Sequence, residues 1–590
     1  MDRRVLWIGA MCIVLGVLAA LAAQLLIMLI DFITNLAFYG RLSIEHASPA
    51  GNSLGVGVIF IPMIGGLIVG IMARYGSRAI RGHGIPETME KVLTDSSRIP
   101  ARLTLLKPAS AAISIGTGGP FGAEGPIIAT GGALGSLLGQ LQAVTDNERK
   151  ILLSAGAAAG MAATFGAPVS AVLLAVELLL FELRPRSVIP VALAATAATG
   201  VRIAFEGSHA AFGMADVAAP SGAALMLYVL IGVIMGVASV GVTRITYAIE
   251  DLFEKLPIHW MWWPVIGTFV VGVCGYFAPR TLGVGYDVIT DMLGGSMSIR
   301  VVAWLCAMKF ISWSISLGSG TSGGTLAPLF MIGGGLGTLL GAGAIAVLPL
   351  AGVDLRVAAL VGMAALFAGA SRALLTAVVF AFEVTLQPTG LLPLLGACSA
   401  SYMLSALLMR ESIMTEKLAR RGVRVPSEYS ADVLDSLWVR DVASKNVVTL
   451  SGGQTIAEVG AWLASGAPGS GHTGFPVIGD EGYLVGILTR RDLLPPSAAV
   501  LPAQTELREL IRRPPVIVYE DCTLRDAIDH MVRHDVGRLP VTRRDNPGQV
   551  VGIITRSNVL SAHRGRLLDM ERGAPSIRMG GKAKRRPPPA

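Results

Sequence analysis

The chain is 590 residues long, 53% hydrophobic and only 15% charged, with a mean hydropathy of +0.63. That balance excludes an ordinary soluble domain and indicates a membrane protein. The net charge of +8 does not read as a nucleic-acid footprint, because the basic residues sit in short loops (Arg74, Arg78, Arg81; Arg149, Lys150; Arg184, Arg186) and in the tail, as on a cytoplasm-facing membrane surface.

The first apolar run, Val5 to Ile30, follows Arg3 and Arg4 and meets no charge until Asp31. It exceeds the roughly 20 residues that cross a bilayer, and its amino end is expected in the cytoplasm. A cleaved signal peptide is the alternative, but the run is about twice the ~7–15 residues of a usual signal core. Cys12, Cys274, Cys306, Cys398 and Cys522 are scattered without paired spacing, so neither a disulfide framework nor a zinc site is expected.

Between Pro108 and Thr145 the only charged residue is Glu124, in GGPFGAEGPII (118–128). A carboxylate is expensive to hold in hydrocarbon, so a lone intramembrane acid is by default a functional site. Its charge also mimics an anion held at helix N-termini. A loop glutamate at the membrane surface is the competing reading.

Sliding the sequence on itself by 202 residues superposes PIIATGGALGSLLG (126–139) on PLFMIGGGLGTLLG (328–341), and GMAATFGA from Gly160 on GMAALFAG from Gly362. Two related halves with Gly/Pro-broken apolar segments at matching places are the pattern of a transporter whose site lies between the halves. The breaks end helices inside the membrane, and the freed amides at helix starts carry partial positive charge that can hold an anion. Small-residue runs such as GGALGSLLG allow close helix contact without saying which face dimerises.

Near residue 410 the composition turns polar. GFPVIGDEGYLVGILTRRDLL (474–494) and RLPVTRRDNPGQVVGIITRSNVL (538–560) each give an x-Pro-Val strand, a turn and Val-Gly-Ile-x-Thr-Arg, preceded by the helical patterns IAEVGAWLA and LRDAIDHMV. These resemble two CBS modules that pair into one α/β unit. The expected organisation is an all-α polytopic membrane domain over 1–425 with two related, inverted halves and broken helices, CBS modules over 437–500 and 505–562, and a disordered basic tail over 563–590 that touches anionic lipid.

GHGIPE (82–87), GAEGP (122–126) and GGTLAP (323–328), followed by GAPVSAVLLAVE, resemble the motifs of the CLC family of chloride channels and proton-coupled anion exchangers. With the CBS pair, the resemblance covers nearly the whole chain. It implies that Glu124 blocks the anion path when ionised and opens it when protonated. It further implies an anion site at His83, Gly84 and Ile85, at Gly122, Ala123 and Gly125, and at Thr325 and Leu326, with the family's inner tyrosine falling on Met414.

Several positions depart from the family. His83 stands where a serine hydroxyl binds chloride; an imidazole can donate one hydrogen bond, or turn away and leave the backbone amides of Gly84 and Ile85 to bind. Leu326 replaces a phenylalanine whose contribution is a backbone N–H. Met414 cannot donate a phenolic hydrogen bond. The pair after GAP reads Glu177-Leu178, so its proton-handling glutamate is a leucine. Glu182, four residues on, lies one helical turn beyond Leu178 on the same face, and is either an internal proton acceptor or the ion-pair partner of Arg184 or Arg186. In the CBS pair the resemblance implies an adenosine site at Thr489 and Asp492, and at Thr555 and Asn558, against a purely structural, dimer-forming role.

Two lookalikes fail on context. Gly318-Ser319-Gly320-Thr321-Ser322-Gly323 fits G-x-G-x-x-G but lies in an apolar stretch without the acidic residue a dinucleotide needs, and no His falls in HExxH. The expected function is movement of small anions, chloride first, with protons as countersubstrate, by a homodimer, not an enzyme and with no required cofactor. The alternatives are a passive anion channel, a fluoride-selective variant, and a non-transporting membrane sensor read out through the CBS pair.

Overall fold

The computed structural model describes residues 3–423, 425, 426, 434, 437–493 and 502–571, and the chain divides into two compact units, 1–429 and 430–590. The first unit is helical. Its leading half contains α1 (Arg3–Thr34), α2 (Phe60–Tyr75), α3 (Ile85–Thr94), α4 (Leu103–Gly116), α5 (Glu124–Leu141), α6 (Asp146–Phe165), α7 (Pro168–Ala175) and α8 (Pro185–Glu206). The second half repeats this order as α9 (Gly222–Glu254), α10 (Trp263–Phe277), α11 (Tyr286–Gly294), α12 (Ile299–Gly318), α13 (Leu326–Val347), α14 (Leu355–Ser371), α15 (Leu374–Thr385) and α16 (Leu391–Leu408), after which comes the short α17 (Glu416–Arg420). Among the described residues eight helices are long and apolar enough to cross a membrane.

The repeated glycines act inside the subunit. Gly131 of α5 and Gly156 of α6 approach so closely that a Cβ on either would strike the other's carbonyl oxygen, and Gly333 of α13 meets Gly362 of α14 in the same way. Backbone-to-backbone contact of this kind is what small residues permit where no hydrophobic force drives helices together. Helices α6 and α14 are buried along almost their whole length and form the centre of an apolar core that both halves share.

The halves also cap each other. Glu177 follows α7, and its carboxylate accepts the Leu375 and Thr376 N–H groups at 3.0 and 2.9 Å and the Thr376 hydroxyl at 2.6 Å, at the start of α15. Glu383 on α15 accepts Val169 and Ser170 N–H at 2.9 and 2.8 Å, at the start of α7. Each carboxylate thus satisfies the orphan donors of the other half's helix, with the sign that the helix dipole favours.

In the second unit, β1 (Leu450–Ser451), β2 (Gly474–Ile478) and β3 (Leu484–Thr489) form one sheet, with β1 parallel and β3 antiparallel to β2. β4 (Val518–Tyr519), β5 (Arg538–Thr542) and β6 (Val550–Thr555) repeat the arrangement. The cores do not follow the expected boundaries 437–500 and 505–562. Val439 packs in the core of the second module, where Ser444 pairs with Ile553, while Leu507 packs in the core of the first and Glu506 pairs with Thr455. The tail also starts later than residue 563, because helical backbone continues to Glu571; residues 572–590 lie outside the described residues.

Candidate functional site

Three Gly-rich loops meet in the first unit. The Gly82 N–H donates to the Thr321 carbonyl at 2.9 Å, and Gly122 and Gly324 exchange a pair of hydrogen bonds, N–H to carbonyl, at 3.1 and 2.8 Å. Gly122 and Gly324 are 202 positions apart, so equivalent residues of the two halves face each other across this antiparallel pairing. Helices α5 and α13 both begin two residues later and therefore start from one point. Helix α3 begins beside them: Gly84 precedes it with φ +93°, and a Cβ there would lie 2.6 Å from the Gly125 carbonyl oxygen. Convergent helix starts leave first-turn amides without intrahelical acceptors, among them those of Ile85, Gly125 and Leu326, and concentrate partial positive charge.

Glu124 sits in this convergence at 0% exposure. The Tyr286 hydroxyl donates to its Oε1 at 2.5 Å. Its carboxylate fills the space that a Cβ on Gly122 would take, lies 3.1 Å from where one on Gly324 would be, and is near the amides of Glu124 itself and Ala327. Three buried polar atoms at the meeting of the loops have no partner: Glu124 Oε2, His83 Nδ1 and Thr325 Oγ1. Such orphans are costly in a dry interior unless water or a polar ligand meets them.

Two buried lysines, also 202 positions apart, brace the approach. Lys107 of α4 donates to the Ile80 and Gly82 carbonyls at 2.8 Å each, and Lys309 of α12 donates to those of Thr281, Gly283 and Val284 at 3.1, 2.8 and 3.3 Å. Each pins the loop that leads into a short helix, α3 or α11. Both donate to neutral carbonyl oxygens and not to a carboxylate.

A cavity of ≈ 320 Å³ opens beside Ala123 and Tyr286 and carries Asp31, His46, Arg202 and Asp287. A second cavity, of ≈ 510 Å³, reaches His83 from the side of Arg78, Arg81, Glu250 and Lys417. Glu124 lines neither; its neighbour Ala123 and its partner Tyr286 line the first.

The remaining expected site residues divide. The Gly84 amide does not face a ligand: it donates to Glu87 Oε2 at 2.8 Å, and Glu87 also accepts from Lys417 of α17 at 2.7 Å. The Gly122 amide is likewise engaged by Gly324. Met414 is fully buried and lines neither cavity. Glu182 does not share a helical face with Leu178. Residues 176–180 form a π turn, Phe181 is left-handed at φ +52°, and the helix ends there. Glu182 instead accepts from the Ser187 hydroxyl at 2.5 Å and lies 3.8 Å from Arg184. Tyr286 and the lysine pair escaped sequence reading, although GVGYD (283–287) echoes GHGIP (82–86) at an offset of 201 and was the available signal.

In the second unit the Thr489 hydroxyl donates to Asp492 and the Thr555 hydroxyl to Asn558, each at 2.6 Å. The first pair lines a cavity of ≈ 750 Å³ with Arg491, Arg512 and Arg513; the second lines one of ≈ 530 Å³ with His472 and Arg556.

The family described as voltage gated chloride channel matches residues 65–406, and CBS domains match 439–495 and 507–565. The chain is 31% identical over 318 residues to an H(+)/Cl(-) exchange transporter, ClcA, of Vibrio campbellii, spanning 52% of this chain and 67% of that one. It is 28% identical over 570 residues to the chloride channel protein CLC-f of Arabidopsis thaliana, spanning 84% and 71%. The fold is similar to that of a slow cyanobacterial Cl-/H+ antiporter, with TM-score 0.63 at 22% identity over 71% of this chain and 98% of that one.

Proposed function

From the premise that the chain belongs to the voltage-gated chloride channel family and carries two CBS domains, we propose that it moves small anions, chloride first, across the membrane in exchange for protons. The observation that carries this is Glu124: one buried carboxylate at the joint start of α5 and α13, bonded to Tyr286 of one cavity and near the loop that carries His83 of the other. A carboxylate there competes with an anion for the same amides and orphan donors. Protonation removes its charge, so one site trades a proton for an anion. His83 and Thr325 supply side-chain donors, and the amides of Ile85, Gly125 and Leu326 supply the backbone ones.

The basic loop around Arg78 and Arg81 argues for a cytoplasmic His83 cavity and an outward-facing Tyr286 cavity. The CBS pair is then cytoplasmic, in a bacterial inner membrane, and the working unit is a homodimer with one pathway per subunit. Adenine nucleotide at the two CBS cavities completes the proposal: ATP binding followed by calorimetry should lose one of two sites in Asp492→Ala, and a protein with no ATP heat at all would reduce the pair to a structural role.

A second reading has its own support. Leu178 replaces the family's inner acid, and Glu182 is tied to Ser187 and Arg184, which favours a passive anion channel lacking an inner proton acceptor. Proteoliposomes separate the two. Exchange requires that a chloride gradient drive protons uphill, recorded as external pH alongside chloride efflux; chloride flux without proton movement makes the protein a channel. Fluoride flux exceeding chloride flux makes it a fluoride-selective variant, and no flux of either anion favours the CBS sensor.

A further inference from the structure

Tyr286 is not among the residues implied by the family motifs, yet among the described residues it is the one side chain that hydrogen-bonds Glu124. Resting on the reading of Glu124 as the gate, we propose that Tyr286 is the latch that holds the carboxylate in the anion path, a positioning residue that sets how readily an outside anion displaces it.

The placement of the phenol is built. Its ring stands edge-on to Phe165 and Phe212, with centroids at 5.9 and 5.5 Å, so the ring is clamped apart from any hydrogen bond. Lys309 ties down Thr281, Gly283 and Val284, the residues that lead into it. Gly285, at φ +84°, turns the chain from that loop into α11; a Cβ there would sit 3.2 Å from Met331 Sδ and 3.4 Å from Lys309 Nζ. The hydroxyl is thereby aimed at Glu124 Oε1, and the ring forms part of the outer cavity wall. Met414 supplies no phenol, and Tyr247, which lines the cavity on the His83 side, donates its hydroxyl to the Ile413 carbonyl at 2.8 Å, so the phenol on Glu124 comes from Tyr286.

A donor to a carboxylate stabilises the closed arrangement more than a neutral hydrogen bond would. An anion binds only when the carboxylate has left, so its apparent affinity is its intrinsic affinity reduced by the fraction of open sites. Removing the hydroxyl raises that fraction. The effect belongs in the chloride concentration for half-maximal flux and not in the maximal rate.

The test is chloride flux against external chloride in proteoliposomes of the full chain, for wild type, Tyr286→Phe, Glu124→Gln and the double variant. Tyr286→Phe keeps the clamped ring and removes only the hydroxyl. The expected result is a roughly tenfold fall in half-saturating chloride with little change in maximal flux, and less than a twofold further change when Tyr286→Phe is added to Glu124→Gln, where no charge remains to latch. An unchanged half-saturation, or the same shift in both backgrounds, overturns the latch. The gate reading fails separately if Glu124→Gln retains proton coupling. Tyr286→Leu, which loses ring and hydroxyl together, distinguishes packing from latching: loss of maximal flux there with normal kinetics in Tyr286→Phe assigns the residue to packing and overturns the proposal.

Discussion

Replacing Glu124 by glutamine should abolish proton movement while chloride still crosses. Glutamine has the shape of the protonated acid without its charge, so the packing around position 124 persists and only the titration is removed. The site then stays permanently in its neutral, open form. In proteoliposomes with an outward chloride gradient, proton uptake by the variant should fall to the leak of empty vesicles, and chloride efflux should continue. The surviving chloride efflux also excludes misfolding, since a collapsed protein would lose both fluxes. Proton movement still tied to chloride in Glu124→Gln would place the coupling acid elsewhere, with Glu250 in the inner cavity the next group to replace.

The second large effect is on folding. Glu177→Ala leaves the Leu375 and Thr376 amides and the Thr376 hydroxyl, at the start of α15, without their acceptor. At about 1–3 kcal/mol for each abandoned donor, the loss is on the order of 5 kcal/mol. That rivals the whole margin of a typical fold, about 5–15 kcal/mol. Size-exclusion profiles after detergent extraction should show aggregate instead of a monodisperse peak. Glu383→Ala should behave alike, because it strips Val169 and Ser170 in the reciprocal place. Glu177→Gln should be milder, since it keeps one acceptor oxygen. A Glu177→Ala protein as heat-resistant as wild type would mean that water or a neighbouring group satisfies these donors.

Much of this architecture was legible in the letters because it is written twice. The 202-residue offset exposed the two halves, and the three Gly-rich loops located their junction, since glycine positions that tolerate a close backbone approach are hard to disguise. Glu124 was legible because charge is scarce around it. What escaped depends on contacts between distant segments. Tyr286 reaches Glu124 across 162 positions, and an isolated Gly-Tyr-Asp carries little information about its partner. The helical register placing Glu182 beneath Leu178 failed through one local event, a π turn closed by a left-handed phenylalanine, which no periodicity announces. The exchange of edge segments between the CBS modules was invisible for a related reason: 437–444 is adjacent in sequence to the first module, yet its apolar side chains fit the second.

Gly122 and Gly324 exchange their hydrogen bonds as equals, yet the residues two positions later are not equals: α5 opens with Glu124 and α13 with Leu326. A passage crossing at right angles the two-fold axis that such a pairing implies would be the same traversed from either face and could not tell one direction from the other. The single acid breaks that equivalence. Because only one of two matching positions acquired a charge, the molecule carries a sense of direction at this junction, which a preference for one sign of voltage would express.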